Sequence, residues 1–296
     1  MKIILTGSLG HIGQPLAQQL VREGHAVTVI SSKADKRAAI EALGATAAIG
    51  SLEDADFLAT TFADADAVYC MVPPNMAAPD VLAHYRTIGH SYAQAIQQAG
   101  VRRVVHLSSW GADLDQGTGF ILGSHQVEGI LNALPDVALT HLRPGSFYYN
   151  LYGFVGMIKV QGIIGSNYGG EDVIVLSAPT DIAAAAAEEL TKTAAPGTRV
   201  RYLASDERPA REVARALGTA IGQPDLQWLT FDDKQTQRAL EAQGVPAHIA
   251  TSYVELGASI HSGAMRQGYL QHQPQTMGKV KAEDFAKEFA TAFQKA

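Results

Sequence analysis

The 296-residue sequence is short of several things, and each shortage closes a class of explanation. It has one cysteine, Cys70, so neither an internal disulfide framework nor a multi-cysteine metal site is available to it. Charged residues make up 18% of the chain and the formal net charge is −6, which leaves no basic footprint for nucleic acid or for an anionic membrane surface. No apolar run approaches the length that spans a bilayer: the least polar stretch, "DIAAAAAEEL", is short and bounded by acids. The opening "MKIILTG" passes directly into a strand pattern, without the longer apolar region and cleavage site of a signal peptide. No pair of histidines with a carboxylate has metal-ligand spacing, and "GSFYYN" is not a G-x-S-x-G nucleophile elbow. The expectation is a soluble, cytoplasmic protein with no metal, no membrane and no direct nucleic-acid partner.

What is present is a strong alternation. The first half reads as short apolar, β-rich runs ("KIILTG", "AVTVISS", "ATAAIG", "DAVYCMVPP", "RRVVHLSS", "VALTHLRPGSF") separated by helical patterns. Near-continuous apolar strands alternating with helices are what a parallel sheet covered on both faces requires. Gly24, Gly44 and Gly100 each stand where a helix must end before the next strand. After Asn150 the pattern becomes glycine-rich, returns to a strand and an alanine-rich helix, and then turns mostly helical. The division predicted is 1–150 as a doubly wound α/β domain with 174–193 returning to it, and 151–173 with 194–296 as a smaller, mostly helical lobe. In that lobe Phe285, Phe289 and Phe293 recur every four residues and form one apolar helix stripe.

"ILTGSLGHIGQPLAQQL" sets Gly7, Gly10 and Gly13 at G-x-x-G-x-x-G, directly after the first strand and at the start of the first helix. In that context the first glycine permits the tight turn, the second lets a pyrophosphate approach the backbone, and the third lets helix and strand pack closely. The spacing alone is weak evidence; inside a strand–turn–helix unit it is strong. At the tip of the second strand an NAD site usually places a carboxylate for the adenosine ribose. Here the chain has "VISSKADKR": Ser31, Ser32, Lys33, then Lys36 and Arg37. Hydroxyls and cations suit a 2′-phosphate, so NADP(H) is expected in preference to NAD(H), with NAD(H) still possible.

Taken together, "TGSLGHIG", "LSSWGAD", the "VE" helix, "LRPGSFYYN" and "TDIAAAAAEELT" resemble the NmrA-like atypical short-chain dehydrogenase/reductases over most of the chain. The resemblance implies a Rossmann-type, NAD(P)-binding fold with a small C-terminal substrate lobe, in a family that includes quinone and dye reductases and cofactor-sensing regulators. It also implies site residues. Gly7, Gly10, His11, Ile12 and Gly13 match the pyrophosphate turn, and Ser31, Ser32 and Lys33 match the ribose-discriminating tip. Met71, Val72 and Pro73 match the segment after strand four. Ser108 and Ser109 lie beside the nicotinamide, Pro144, Gly145, Ser146 and Phe147 cover it, and Tyr148 follows at the border of the substrate. One departure is Gly50-Ser51, where relatives often have Gly-Asp.

The wider superfamily reduces carbonyls with Tyr-x-x-x-Lys on the helix after strand five, the tyrosine donating the proton. Registered on Glu128, that helix of "TGFILGSHQVEG" has Phe120 at the tyrosine position and Ser124 at the lysine position. A shift by one residue gives His125 in place of lysine but Ile121 in place of tyrosine. Neither register restores the acid. His125 is the remaining candidate for a proton-carrying group, with Ser108 as a second, and Ser124 is expected at the cofactor. Tyr148, Tyr149 and Tyr152 either stack on a flat substrate or pack between the two lobes. Cys70, His106 and His141 sit in apolar strands and read as buried structural residues.

The functional expectation is NADPH-dependent hydride transfer to a quinone-like or other activated acceptor that takes its proton from water. The alternative is a non-catalytic NADP(H)-sensing regulator acting through a protein partner. Epimerase or dehydratase chemistry is disfavoured because it relies on the missing Tyr-Lys pair.

Overall fold

Short runs rich in Val, Ile and Ala cannot bury both faces unless helices cover them, and the first part of the chain supplies a helix after almost every run. The computed structural model describes residues 1–193 and 195–296. Its elements begin β1 (Lys2–Leu5), α1 (Gly13–Arg22), β2 (Ala26–Ser31), α2 (Arg37–Ala42), β3 (Thr46–Ile49), α3 (Ala55–Phe62), β4 (Ala67–Cys70) and α4 (Val81–Ala99). They continue with β5 (Arg103–Leu107), α5 (Ile121–Asn132) and β6 (Ala138–Pro144). These six strands pair in parallel. The chain then runs through β7 (Ser146–Phe147), α6 (Val155–Gln161), β8 (Ile163–Ser166) and β9 (Val173–Ser177) before α7 (Pro179–Thr191) and β10 (Gly197–Leu203).

The main sheet has seven strands in the order β10-β6-β5-β4-β1-β2-β3. The order reverses between β1 and β4, and in such sheets ligands bind outside the carboxyl ends of the strands at that reversal. Gly24, Gly44 and Gly100 all take left-handed φ (84°, 83° and 66°), closing α1, α2 and α4. The helical pattern between β2 and β3 opens as a 3₁₀ turn, Ala34–Lys36, before α2.

The chain divides into two units, each with its own core. The first comprises 1–112, 123–143 and 179–201; the second comprises 113–122, 144–178 and 202–296. Ala194, where the second segment of the predicted lobe begins, lies outside the described residues. In the first unit Ile4, Val68, Cys70 and Val104 of the sheet pack with Leu58, Phe62, Ile88, Tyr92 and Val127 from α3, α4 and α5. The second unit adds β11 (Asp206–Pro209), α8 (Ala210–Ala220), β12 (Gln227–Thr230), α9 (Asp233–Ala242), α10 (Ala247–His261), α11 (Arg266–Gln271) and α12 (Ala282–Lys295). There the predicted phenylalanine stripe docks: Phe285 and Phe289 are buried among Leu151, Ile158, Ile164, Leu176, Val213 and Trp228, and Phe293 packs at the margin.

Candidate cofactor-binding site

The turn after β1 is shaped by backbone, and its three glycines do different work. Gly7 has φ +91°, and a Cβ there would lie 2.8 Å from the Met71 side chain. A Cβ on Gly13 would fall 2.2 Å from the Ser8 carbonyl oxygen, so α1 can begin this close to the turn only without a side chain. Gly10 is different: its Cβ would meet only the Gly7 carbonyl oxygen, at 3.4 Å. Helix α1 opens with no side-chain cap and no acid in its first turn, which leaves the positive end of its dipole to an anion. A diphosphate fits this cradle in space and in charge. His11 is exposed at the tip of the turn, and Ile12 is buried beneath it.

A cleft of about 340 Å³ opens at the turn. Gly7, Ser8 and Gly10 form one wall and Ser31, Ser32, Lys33 and Lys36 another; Met71 and Pro73, with Ile30 and Leu52, complete it. Seven of these positions (Gly7, Gly10, Ser31, Ser32, Lys33, Met71 and Pro73) are expected from the sequence, with Lys36 beside them; Ser8, Leu9, Ile30 and Leu52 carry no such signal. Val72 is buried behind the cleft. The Met71 N–H donates to Thr6 Oγ1 (2.9 Å), and the hydroxyl of the fully buried Tyr92 donates to the Met71 carbonyl (2.6 Å). Burial above all holds the Tyr92 phenol well above its usual range, so it keeps the proton it donates. Thr6 and Tyr92 therefore set the position of Met71 against Gly7, a role no spacing in the sequence advertised.

At the tip of β2 the four polar residues separate into two kinds. Ser31 is buried, and its Oγ accepts from the Ser8 hydroxyl (3.0 Å) and the Lys33 N–H (3.2 Å), so it fixes the loop. Ser32, Lys33 and Lys36 are exposed and line the cleft. Arg37 does not line it: Nη1 lies 3.4 Å from the Ala47 carbonyl and 3.6 Å from Glu41. Among the described residues no carboxylate lines the cleft. Ser51, at the departure from the family pattern, accepts the Glu53 N–H (3.1 Å), and Gly50 is required by the Phe57 ring, 2.6 Å from where its Cβ would be.

Beyond β5 the polar groups are bound to one another. The Ser108 hydroxyl donates to Glu128 Oε1 (2.5 Å), and Glu128 receives Arg143 Nε on Oε1 (2.9 Å) and Nη2 on Oε2 (2.6 Å). All three residues are buried. Deeper in the sheet the His106 and His141 Nδ1 atoms are 3.0 Å apart, and His141 Nε2 is 3.0 Å from Asn132 Oδ1. Burial holds His106 well below the usual imidazole range, reinforced by His141, and lowers His141 to about 4. Cys70 is fully buried, and desolvation pushes its thiol up, so it is inert. Ser109 closes the turn after β5, its carbonyl accepting from Ala112 N–H (3.2 Å).

His125 is half-buried on α5, with Nδ1 2.9 Å from the Ala112 carbonyl oxygen. A carbonyl only accepts, so Nδ1 carries the hydrogen, and in the neutral ring Nε2 is a bare acceptor. Only the imidazolium form has a second proton to give. Ser124 is also half-buried, about 100° round the helix from His125. Gly123 sits against the Tyr85 ring, which a Cβ would approach to 2.5 Å.

Phe120 belongs to the second unit. It meets Tyr253 edge-on (centroids 4.9 Å apart), and Gly119, at φ +56°, lies so close to Ser252 that a Cβ would be 2.0 Å from its carbonyl oxygen. The position registered as the superfamily tyrosine is a packing position on α10. Pro144 ends β6, and the Gly145 N–H reaches the Leu203 carbonyl and Ser177 Oγ (both 3.0 Å). Ser146 and Phe147 form β7 beside β9. Tyr148 is 1% exposed and stacks on Phe285 (5.0 Å), and Tyr152 stacks on Phe289 (5.8 Å), so both rings pack within the second unit's own core. Tyr149 is half-buried beside Phe147, with centroids 5.2 Å apart.

Among the described residues there is no group of three metal-ligating side chains, and no helix is long and apolar enough to cross a membrane. A family model described as NAD(P)H-binding matches residues 7–149. An NAD(P)H azoreductase of Xenophilus azovorans is 26% identical over 98% of this chain and 99% of its own length. Two solved structures share the fold. The triphenylmethane reductase of Citrobacter sp. has a TM-score of 0.81, 17% identity and coverage of 98% of this chain and 100% of that one. The NADPH-dependent quinone oxidoreductase of Escherichia coli, solved with NADPH, has a TM-score of 0.76, 18% identity and coverage of 99% of both chains. The glycine turn, the strand order and these likenesses together give a Rossmann-type fold with an NAD(P)H-binding match over residues 7–149, consistent with an NmrA-like atypical short-chain dehydrogenase/reductase.

Proposed function

We propose that the protein is an NADPH-dependent reductase acting on a planar, activated acceptor of the quinone or azo type. The observation that carries this reading is the cleft at the glycine turn, with Ser32, Lys33 and Lys36 on its wall and no carboxylate among its described lining residues. The cradle around Gly10 would hold the diphosphate, and the two lysines and Ser32 a ribose 2′-phosphate through charge-assisted hydrogen bonds. When bound, the nicotinamide supplies a hydride. The names of the similar proteins, an NAD(P)H azoreductase and an NADPH-dependent quinone oxidoreductase, support an electron-poor small-molecule acceptor.

The arrangement of protons supports the same class. In the first unit the Ser108 proton is directed to Glu128 and the His125 Nδ1 proton to Ala112. Neither is on offer to a substrate carbonyl, and Phe120 has none. An acceptor whose reduced anion takes its proton from water does not need them.

The test is NADPH oxidation against a panel of quinones, azo dyes, triphenylmethane dyes and aldehydes. The expected result is turnover of quinones or dyes and none of simple aldehydes, with His125→Ala retaining activity at saturating NADPH. Tight NADPH binding with no turnover of any acceptor favours the second reading, a cofactor-sensing regulator with a protein partner, for which the same engaged protons speak.

A further inference from the structure

Strands β1 and β2 are parallel neighbours with Leu5 beside Val29, so the glycine turn and the loop after β2 leave the sheet side by side. Ser8 joins the two. It is held at φ +55°, a conformation that a residue with a Cβ adopts at a cost. Although it lines the cleft, its polar groups are spent inside the protein. The Ser8 N–H donates to the Ile30 carbonyl (3.0 Å), and its hydroxyl donates to Ser31 Oγ (3.0 Å). Its carbonyl lies against the start of α1, at Gly13. Ser31 in turn grips both peptide groups of Lys33: its Oγ accepts the Lys33 N–H (3.2 Å) and stands 3.4 Å from the Lys33 carbonyl oxygen. A chain of hydroxyls thus runs from the glycine turn to the backbone of the lysine on the opposite wall of the cleft. A glycine at position 8 would take this φ freely and would lack only the hydroxyl that starts the chain. Strain kept at such a place has to be balanced by what the strained residue supplies.

We infer that Ser8 is a specificity-determining positioning residue for the 2′-phosphorylated cofactor. Through Ser31 it fixes the Lys33 backbone, and so the wall from which the ammonium meets the phosphate, while its own hydroxyl and N–H stay turned away from the ligand. The inference rests on the NADPH reading above and deepens it: selection of the 2′-phosphate depends on a residue of the turn that cradles the diphosphate.

The experiment measures dissociation constants for NADPH and NADH by calorimetry, with a melting temperature for each protein. The proteins are wild type, Ser8→Ala, Ser8→Gly, Lys33→Ala and the Ser8→Ala, Lys33→Ala double variant. Ser8→Ala is expected to weaken NADPH about fivefold, the scale of one neutral hydrogen bond, and to leave NADH unchanged. Ser8→Gly should lose the same preference although it relieves the backbone and melts no lower than Ser8→Ala, so the loss follows the hydroxyl and not stability. In the Lys33→Ala background Ser8→Ala should cost NADPH nothing further, because both act on one contact. Equal weakening of NADPH and NADH in Ser8→Ala overturns the inference, as does full additivity with Lys33→Ala or a preference that survives in Ser8→Ala. A wild type with no preference for NADPH overturns the cofactor reading as well, which separates the two failures.

Discussion

Around Gly7–Gly13 the groups offered to a ligand are backbone N–H groups at a helix start and side chains that project into a cleft; around Ser108 they are buried side chains already bound to one another. The first region achieves its shape by omission, since Gly7 and Gly13 have no room for a Cβ and Gly10 leaves one open. The second achieves it by saturation: a serine, a carboxylate and a guanidinium complete each other's hydrogen bonds below the surface. An open cradle tolerates changes in the ligand and little change in its own backbone. A saturated network tolerates neither the loss of a member nor a reversal of its polarity.

The sharpest break of the second region is Glu128→Ala. It removes the carboxylate that receives Arg143 Nε and Nη2 and the Ser108 hydroxyl in a buried site, and unfolding free energy from denaturant titration should fall by about 3–5 kcal/mol. In the first region the comparison is between neighbours. Gly13→Ala forces a methyl against the Ser8 carbonyl and should lower stability by about 1–3 kcal/mol. Gly10→Ala should leave the melting temperature nearly unchanged while abolishing NADPH binding, because its methyl enters the space meant for the anion. Equal melting losses for the two variants would remove the distinction between shaping and ligand-facing glycines.

A smaller effect comes from the histidine pair beneath Ser108. His141 is depressed to about 4 and His106 also lies below its ordinary value, so between about 6.5 and about 4 the unfolded chain binds protons that the folded chain does not. Stability is thus complete above the unfolded imidazole value and falls as pH drops through this window, on the order of 3 kcal/mol from His141. Melting curves over that range should show the decline, and His141→Gln should flatten it. The strands β1 and β2 carry no buried imidazole, which ties this pH sensitivity to the second region.

How much of this was legible in the sequence follows from the same contrast. Conformation at Gly7 and the closeness of α1 at Gly13 act through residues a few positions apart, so they leave a spacing that can be read. The lysines at the β2 tip were visible for the same reason, although burial divides Ser31 from Ser32 in a way that spacing does not show. Glu128 served only to register the helix. Its partners stand 20 positions before it and 15 after it, and meet it only because β5, α5 and β6 fold back side by side. The tyrosines of "GSFYYNLY" were ambiguous because a ring that stacks on a substrate and one that stacks on Phe285 look alike in sequence. Phe120 could be seen to lack a proton; its engagement with Tyr253 needed α10 in place.

The central claim, that the cleft at the glycine turn is a site for a phosphorylated nicotinamide dinucleotide, is tested most directly by calorimetric titration of the protein with NADPH and with NADH. The account predicts NADPH binding at least about tenfold tighter than NADH, and loss of that difference in the Lys33→Ala, Lys36→Ala double variant with NADH affinity unchanged. NADH binding as tight as NADPH, or a preference that survives removal of both lysines, would contradict it.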